Sequence, residues 1–205
     1  MAVVEFIKRV ATFAGRSLEF ALTGQSEYAV ITSELADFHT VTDLPKAKRM
    51  LVETRGQLAR AFQIEVREPV LLELFSGKDW TPASLRYVMR GAVGSYQPHL
   101  LGNSRSHTIH VLQGLPRGRF KAIVAHELVH AYQAEAGFLT SSRSLREGFA
   151  RWVEYHVLLD EGDASEAKRL LGFRRWSAGR GIHALLDIER EGGIDAVLAH
   201  VRRVP

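Results

Sequence analysis

The chain has 205 residues, 46% of them hydrophobic, and a formal net charge of +4, which suffices for one domain with a sizeable core. It contains no cysteine, so a disulfide framework, a thiolate zinc finger and a cysteine nucleophile are excluded, and a transition-metal site must be built from histidines and carboxylates. The sequence pI is about 9.6, yet the basic residues are scattered, with Arg174-Arg175 and Arg202-Arg203 the densest pairs, a pattern of solvated helix faces more than of a nucleic-acid groove.

The opening residues Met1 to Arg9 lack the continuous apolar stretch and small-residue cleavage site of a secretion signal. No run approaches the roughly 18 apolar residues that a membrane span needs. The expectation is a soluble protein, and the lack of cysteine leans towards a cytoplasmic location.

In chain order, Val3, Phe6, Ile7, Val10, Phe13 and Ala14 recur at helical spacing, which predicts an amphipathic helix over 3–22, followed by a short strand around Tyr28 to Thr32. Asp43-Leu44-Pro45 starts a second helix whose apolar face runs through Leu51, Leu58 and Phe62 and ends near Gln63. Short apolar segments at Val70 to Phe75, Arg86 to Val93 and Thr108 to Leu112 predict a small, mainly antiparallel sheet. After Gly114-Leu115-Pro116 the chain reads as four or five helices, punctuated at Gly137, Gly172, Gly179 to Gly181 and Gly192-Gly193. The fold class is therefore α+β: a single domain over 1–205, with a helix-and-sheet upper lobe over 1–118, a helical lower lobe over 119–205, and a cleft between them.

Between Lys121 and Tyr132 nearly every residue is apolar or small except His126, Glu127 and His130, so the helix should be buried on most sides. Two histidines four residues apart share a face about 6 Å apart along the axis, within reach of one ion. Buried ionisable groups without a shared partner would be destabilising. Zn²⁺ bound by His126 and His130 answers this, with Glu127, rotated around the helix, as the general base that deprotonates the attacking water.

Zinc needs a third protein ligand and an open corner. Glu147 follows His130 by 17 positions and begins a helix that can return beside it. Ser144-Leu145-Arg146-Glu147 also reads as a capping box in which Glu147 merely returns to the Ser144 backbone. Glu154, two turns on, is the next candidate ligand, or an acceptor that orients an imidazole N–H. Tyr155, His156 and His183 are candidate donors to the oxyanion of the transition state. His107, His110, His156 and His183 read as structural rather than metal-bound. The strand Thr108 to Leu112, taken as an exposed edge, could pair with an extended substrate.

Ile109-His110-Val111-Leu112-Gln113-Gly114-Leu115-Pro116-Arg117, Ala125-His126-Glu127 through His130-Ala131, Gly137 and Glu147-Gly148 together resemble the peptidase domain of the plant organ-size-control family of LIM-domain, ubiquitin-activated metallopeptidases. The resemblance covers about residues 107 to 160. It implies a gluzincin-type zincin fold, with His126, His130 and Glu147 as zinc ligands and Glu127 as base. The chain departs from the family in having no cysteine, hence no LIM domain, in showing no ubiquitin-interacting segment, and in carrying Phe149-Ala150-Arg151 after Glu147-Gly148. Activation by ubiquitin is accordingly not carried over.

The expected activity is that of a zinc metallopeptidase with one Zn²⁺ per chain, an endopeptidase acting on a peptide or protein substrate. A zincin-fold binding or regulatory protein without significant hydrolysis is the alternative, and a nucleic-acid-binding domain ranks last. Nothing in the sequence sets an oligomeric state.

Overall fold

The structure is a computed structural model that describes residues 40–76, 93–102, 104–137, 142–172 and 177–203. The helix expected over 3–22, the strand near Tyr28, most of the Arg86 to Val93 segment and Arg174-Arg175 lie outside the described residues. The described chain is mixed α+β. Its strands are β1 (Thr40–Val41), β2 (Val70–Phe75), β3 (Gly94–Leu101), β4 (Ser104–Leu112) and β5 (Leu115–Pro116), and its helices are α1 (Leu44–Phe62), α2 (Arg117–Glu135), α3 (Arg143–Asp160), α4 (Ala164–Leu171) and α5 (Ser177–Arg203). No helix among the described residues is long and apolar enough to cross a membrane.

Helix α1 starts where Asp43 accepts a hydrogen bond from the Lys46 N–H and Pro45 occupies the first turn, and it ends at Gln63, which takes a left-handed φ of 53° and returns its N–H to Leu58 O. Ala47, Met50, Leu51, Leu58 and Phe62 line its buried face. Phe62 meets Trp152 of α3 edge to face, with ring centroids 5.4 Å apart. One continuous buried cluster runs from α1 through the strands and α2 to α3, α4 and α5.

The three-stranded sheet has the order β2-β4-β3, with β2 parallel and β3 antiparallel to β4. That sheet is mixed, β1 pairs antiparallel with β5 in a second one, and antiparallel pairing prevails among the described strands. The hairpin partner β4 inserts between β3 and β2, so Thr108 to Leu112 form a central strand and not an exposed edge. The alternation of Ile109 and Val111, both wholly buried, fits a strand covered by α2. With hydrogen bonds to neighbours on both sides, β4 cannot accept a substrate strand; among the described residues β3 is the outer strand next to α2.

The glycines of the C-terminal region divide into two kinds. Gly179 and Gly181 lie inside α5, and the helical geometry is interrupted only at Gly193, with φ 73° and ψ −174°. Gly181 serves close packing: a Cβ there would fall 2.0 Å from Ser144 O, and one on Gly148 would fall 2.5 Å from the Gly181 Cα. Backbone meets backbone where α3 crosses α5, directly beside Glu147.

Candidate metal centre

Helix α2 begins as soon as β5 ends, with Pro116 preceding its first turn. Phe120, Ile123, Val124, Ala125, Leu128, Val129 and Ala131 bury it on several sides. His126 and His130 emerge from one face, ring centroids 4.9 Å apart and Nε2 atoms 3.2 Å apart.

The other nitrogen of each ring is already engaged. His126 Nδ1 lies 3.0 Å from Glu154 Oε2, and a carboxylate only accepts, so Nδ1 carries the proton. His130 Nδ1 lies 2.9 Å from Gln133 Oε1, and the amide nitrogen of Gln133 donates to Arg146 O at 3.0 Å. That second bond fixes which end of the amide is oxygen, so His130 also donates through Nδ1. Both Nε2 lone pairs therefore converge, and Glu147 Oε2 stands 4.0 and 3.9 Å from them.

Tetrahedral zinc with bonds of about 2.0–2.2 Å separates its ligand atoms by roughly 3.3–3.6 Å. The two Nε2 atoms, 3.2 Å apart, fall just short of that spacing, and Glu147 at 3.9 to 4.0 Å lies just beyond it. His126, His130 and Glu147 are the one group among the described residues whose donor atoms all lie within 4.8 Å of one another. An ion held by two imidazole nitrogens and one carboxylate oxygen would have three protein ligands, the number found in catalytic zinc sites.

The charges are mutually adjusted. Burial alone would lower His126, but the Glu154 hydrogen bond and the charges of Glu154 and Glu127 outweigh it, and the net direction is up. Burial would raise Glu154, yet His126, Arg151 and Arg119 hold its carboxyl below the usual range. His130 is pushed down to about 4 by burial and by the charge on His126. A proton on His126 Nε2 would point at the His130 Nε2 lone pair 3.2 Å away.

Glu127 makes no hydrogen bond or ion pair among the described residues. Burial pushes its carboxyl up to about 7, helped by Glu154 and Glu147 and opposed by His126 and Arg151. Strand β3 passes directly over it: a Cβ on Gly94 would fall 2.4 Å from Ile123 Cγ2 and 2.9 Å from Glu127 Oε1. A glycine inside a strand marks such close approaches, and that signal was available in the sequence. Two residues on, the Tyr96 ring lies 6.2 Å from the His130 ring, and its hydroxyl is 3.0 Å from His107 Nδ1. Burial raises this phenol to about 12.

The remaining expectations divide. Glu154 accepts from His126 Nδ1 and stands outside the group formed by His126, His130 and Glu147. Glu147 is not part of a capping box: Ser142 caps α3, accepting from Leu145 N at 3.2 Å, and Glu147 lies in the second turn with its carboxylate towards the histidines. His156 and His183 are not brought to the cluster. His156 Nε2 meets Glu189 Oε2 at 3.0 Å, beside the Trp152 indole N–H at 2.7 Å from the same oxygen, and His183 Nε2 donates to Leu171 O at 3.0 Å. Tyr155 packs on the His156 ring, centroids 5.3 Å apart. His107 is sealed between Tyr96 and Glu135, and His110 pairs with Glu73 at 3.1 Å. Gln133, Gly94, Tyr96 and Arg151 belong to the neighbourhood of the site without having been singled out by any motif.

Comparison with protein-family models, with curated proteins and with solved structures returns no match to this chain.

Proposed function

We propose that the protein is a zinc-dependent metallopeptidase of the gluzincin type on a zincin-like fold. The observation that carries this reading is the pair of imidazoles, each with its Nδ1 proton donated away, whose Nε2 lone pairs converge 3.2 Å apart beside the Glu147 carboxylate. His126, His130 and Glu147 would hold the ion. Zinc bound there would acidify a water molecule and polarise the scissile carbonyl.

Glu127 accepts the proton of the attacking water and delivers it to the leaving amine. A carboxyl raised to about 7 by burial is matched to both halves of that task near neutrality. Glu154 and Gln133 keep the imidazoles in the metal-binding tautomer. An extended peptide laid along β3 would bring its backbone past Gly94 and over Glu127.

One specific observation favours the alternative of a zincin-fold binding protein: the Nε2 atoms of His156 and His183 already have partners, which leaves neither as a ready oxyanion donor. Metal analysis of the purified protein, combined with an unbiased peptide-library cleavage screen, decides between them. One zinc per chain with chelator-sensitive cleavage supports the peptidase. Zinc without any cleavage supports the binding protein, and absence of zinc sinks both.

A further inference from the structure

Arg151 lies on α3 one turn after Glu147 and one turn before Glu154. Its side chain is 32% exposed, and its one polar contact is a 4.0 Å approach of Nη1 to Glu154 Oε2. That same oxygen accepts from His126 Nδ1, so the guanidinium is a single carboxylate removed from a metal-binding ring. Its charge acts on His126, Glu127 and Glu154 together. Yet its five N–H groups make no hydrogen bond among the described residues. None of its nitrogens is among the buried polar atoms left without a partner, so the planar donor fork is open to solvent and accessible to an incoming group.

Compensation of Glu154 does not account for it. Glu154 already has the His126 N–H and the field of Arg119, and a contact at 4.0 Å spends none of the fork's directionality. What a guanidinium recognises through parallel N–H donors is a carboxylate.

We infer that Arg151 is a specificity residue that binds a carboxylate of the substrate, either the free C-terminus of a peptide or an acidic side chain near the scissile bond. The inference rests on the peptidase reading and names its substrate class. An extended peptide advances roughly 3.3–3.6 Å per residue, so a carboxylate held at Arg151 belongs to a residue one or a few positions from the bond at the metal. Arg151 places a positive charge beside Glu147 and Glu154 that favours the approach of an ionised carboxylate.

The test uses twin peptides that differ only in a carboxylate: a free C-terminus against a carboxamide, and Asp against Asn at each position flanking the cleavage site. Their binding to the 205-residue Glu127→Gln chain is measured by fluorescence anisotropy with and without zinc, and their turnover by the unaltered chain is measured separately. The expected result is tenfold or tighter binding of one carboxylate twin, with the ratio falling to about one in Arg151→Gln and recovering in part in Arg151→Lys, which keeps the charge but not the fork. Which twin shows the ratio identifies the source of the carboxylate. A ratio of one before substitution, a ratio unchanged in Arg151→Gln, or an equal loss for both twins would overturn the inference. Failure of the peptidase reading registers elsewhere, as absence of turnover for every peptide.

Discussion

His126 and His130 face each other through their Nε2 atoms 3.2 Å apart while each donates its Nδ1 proton, one to Glu154 and the other to Gln133. Two lone pairs held this close repel unless a cation lies between them. With His126 raised and His130 lowered to about 4, a proton on His126 is the cation that would stand there in the absence of metal. Zinc uptake should therefore release that proton. Calorimetry in buffers of differing ionisation enthalpy should find close to one proton released per zinc bound below the His126 transition, with apparent affinity rising about tenfold per pH unit there. Uptake without proton release would contradict the bridging arrangement.

Removing Glu147 and removing Glu154 should have different consequences. Glu147→Ala deletes a ligand and should leave little bound metal, whereas Glu154→Ala or Gln133→Ala frees one imidazole to turn and should weaken zinc by about 10- to 100-fold. Competition against a chelator of known affinity ranks the three. Equal retention in Glu147→Ala and the unaltered chain would remove Glu147 from the ligand set.

Glu127→Gln should retain zinc and lose about 10²- to 10⁴-fold or more in turnover, because only the base is lost. The same substitution has a thermodynamic signature in the metal-free protein. The Glu127 carboxyl moves from an ordinary 4.5 to about 7 on folding, so the folded state binds this proton more tightly. The stabilisation from that proton is complete below 4.5 and lost as pH rises through about 7. Between those values the stability advantage of the unaltered chain over Glu127→Gln should shrink with rising pH, by at most about 1.4 kcal/mol per unit. His130 titrates in both proteins, and His126, which the Glu127 charge helps to raise, is taken out of the comparison by making it in a His126→Asn background. Denaturant midpoints at several pH values measure it, and a pH-independent difference would exclude the raised carboxyl.

Gly94→Ala should damage activity out of proportion to stability. The added methyl meets Ile123 Cγ2 at 2.4 Å and Glu127 Oε1 at 2.9 Å, so β3 must lift from α2 or Glu127 must move. Overpacking of this kind costs about 1–3 kcal/mol. Turnover should fall more than tenfold while zinc content is kept. Full activity in this variant would show that the strand does not constrain the base.

The two histidines and Glu127 were legible because their relation is local: spacing on one helix fixes which side chains share a face. The end of α1 at Gln63 was legible for the same reason. Strand order was not, since the placement of β4 between β2 and β3 is decided by pairings over long sequence separations. Ile109 and Val111 alternate equally well in an edge or a central strand. Gln133 was in plain view three residues after His130, but its orientation is set by Arg146 O on another helix, which no spacing announces. Gly179 to Gly181 read as a helix break because glycine is a poor helix former; contact with Ser144 and Gly148 across the α3–α5 crossing overrides that preference. The capping box at Ser144 failed because Ser142 offered the same chemistry two residues earlier.

The far end of α2 adds a consequence for the order of events. Glu135 accepts from the N–H groups of Arg67 and Glu68 at 2.9 to 3.1 Å and from His107 Nε2 at 3.0 Å, bonds that use no metal. They stop the helix from sliding or turning about its axis, so the spacing of its histidines exists before any ion arrives. An ion bound there would be a guest and not a keystone: chelation should leave the fold intact, unlike a zinc finger, whose chain collapses when stripped. A frame rigid in advance also selects among metals by the distances it offers, accepting the ion that fits those distances and leaving the others in solution.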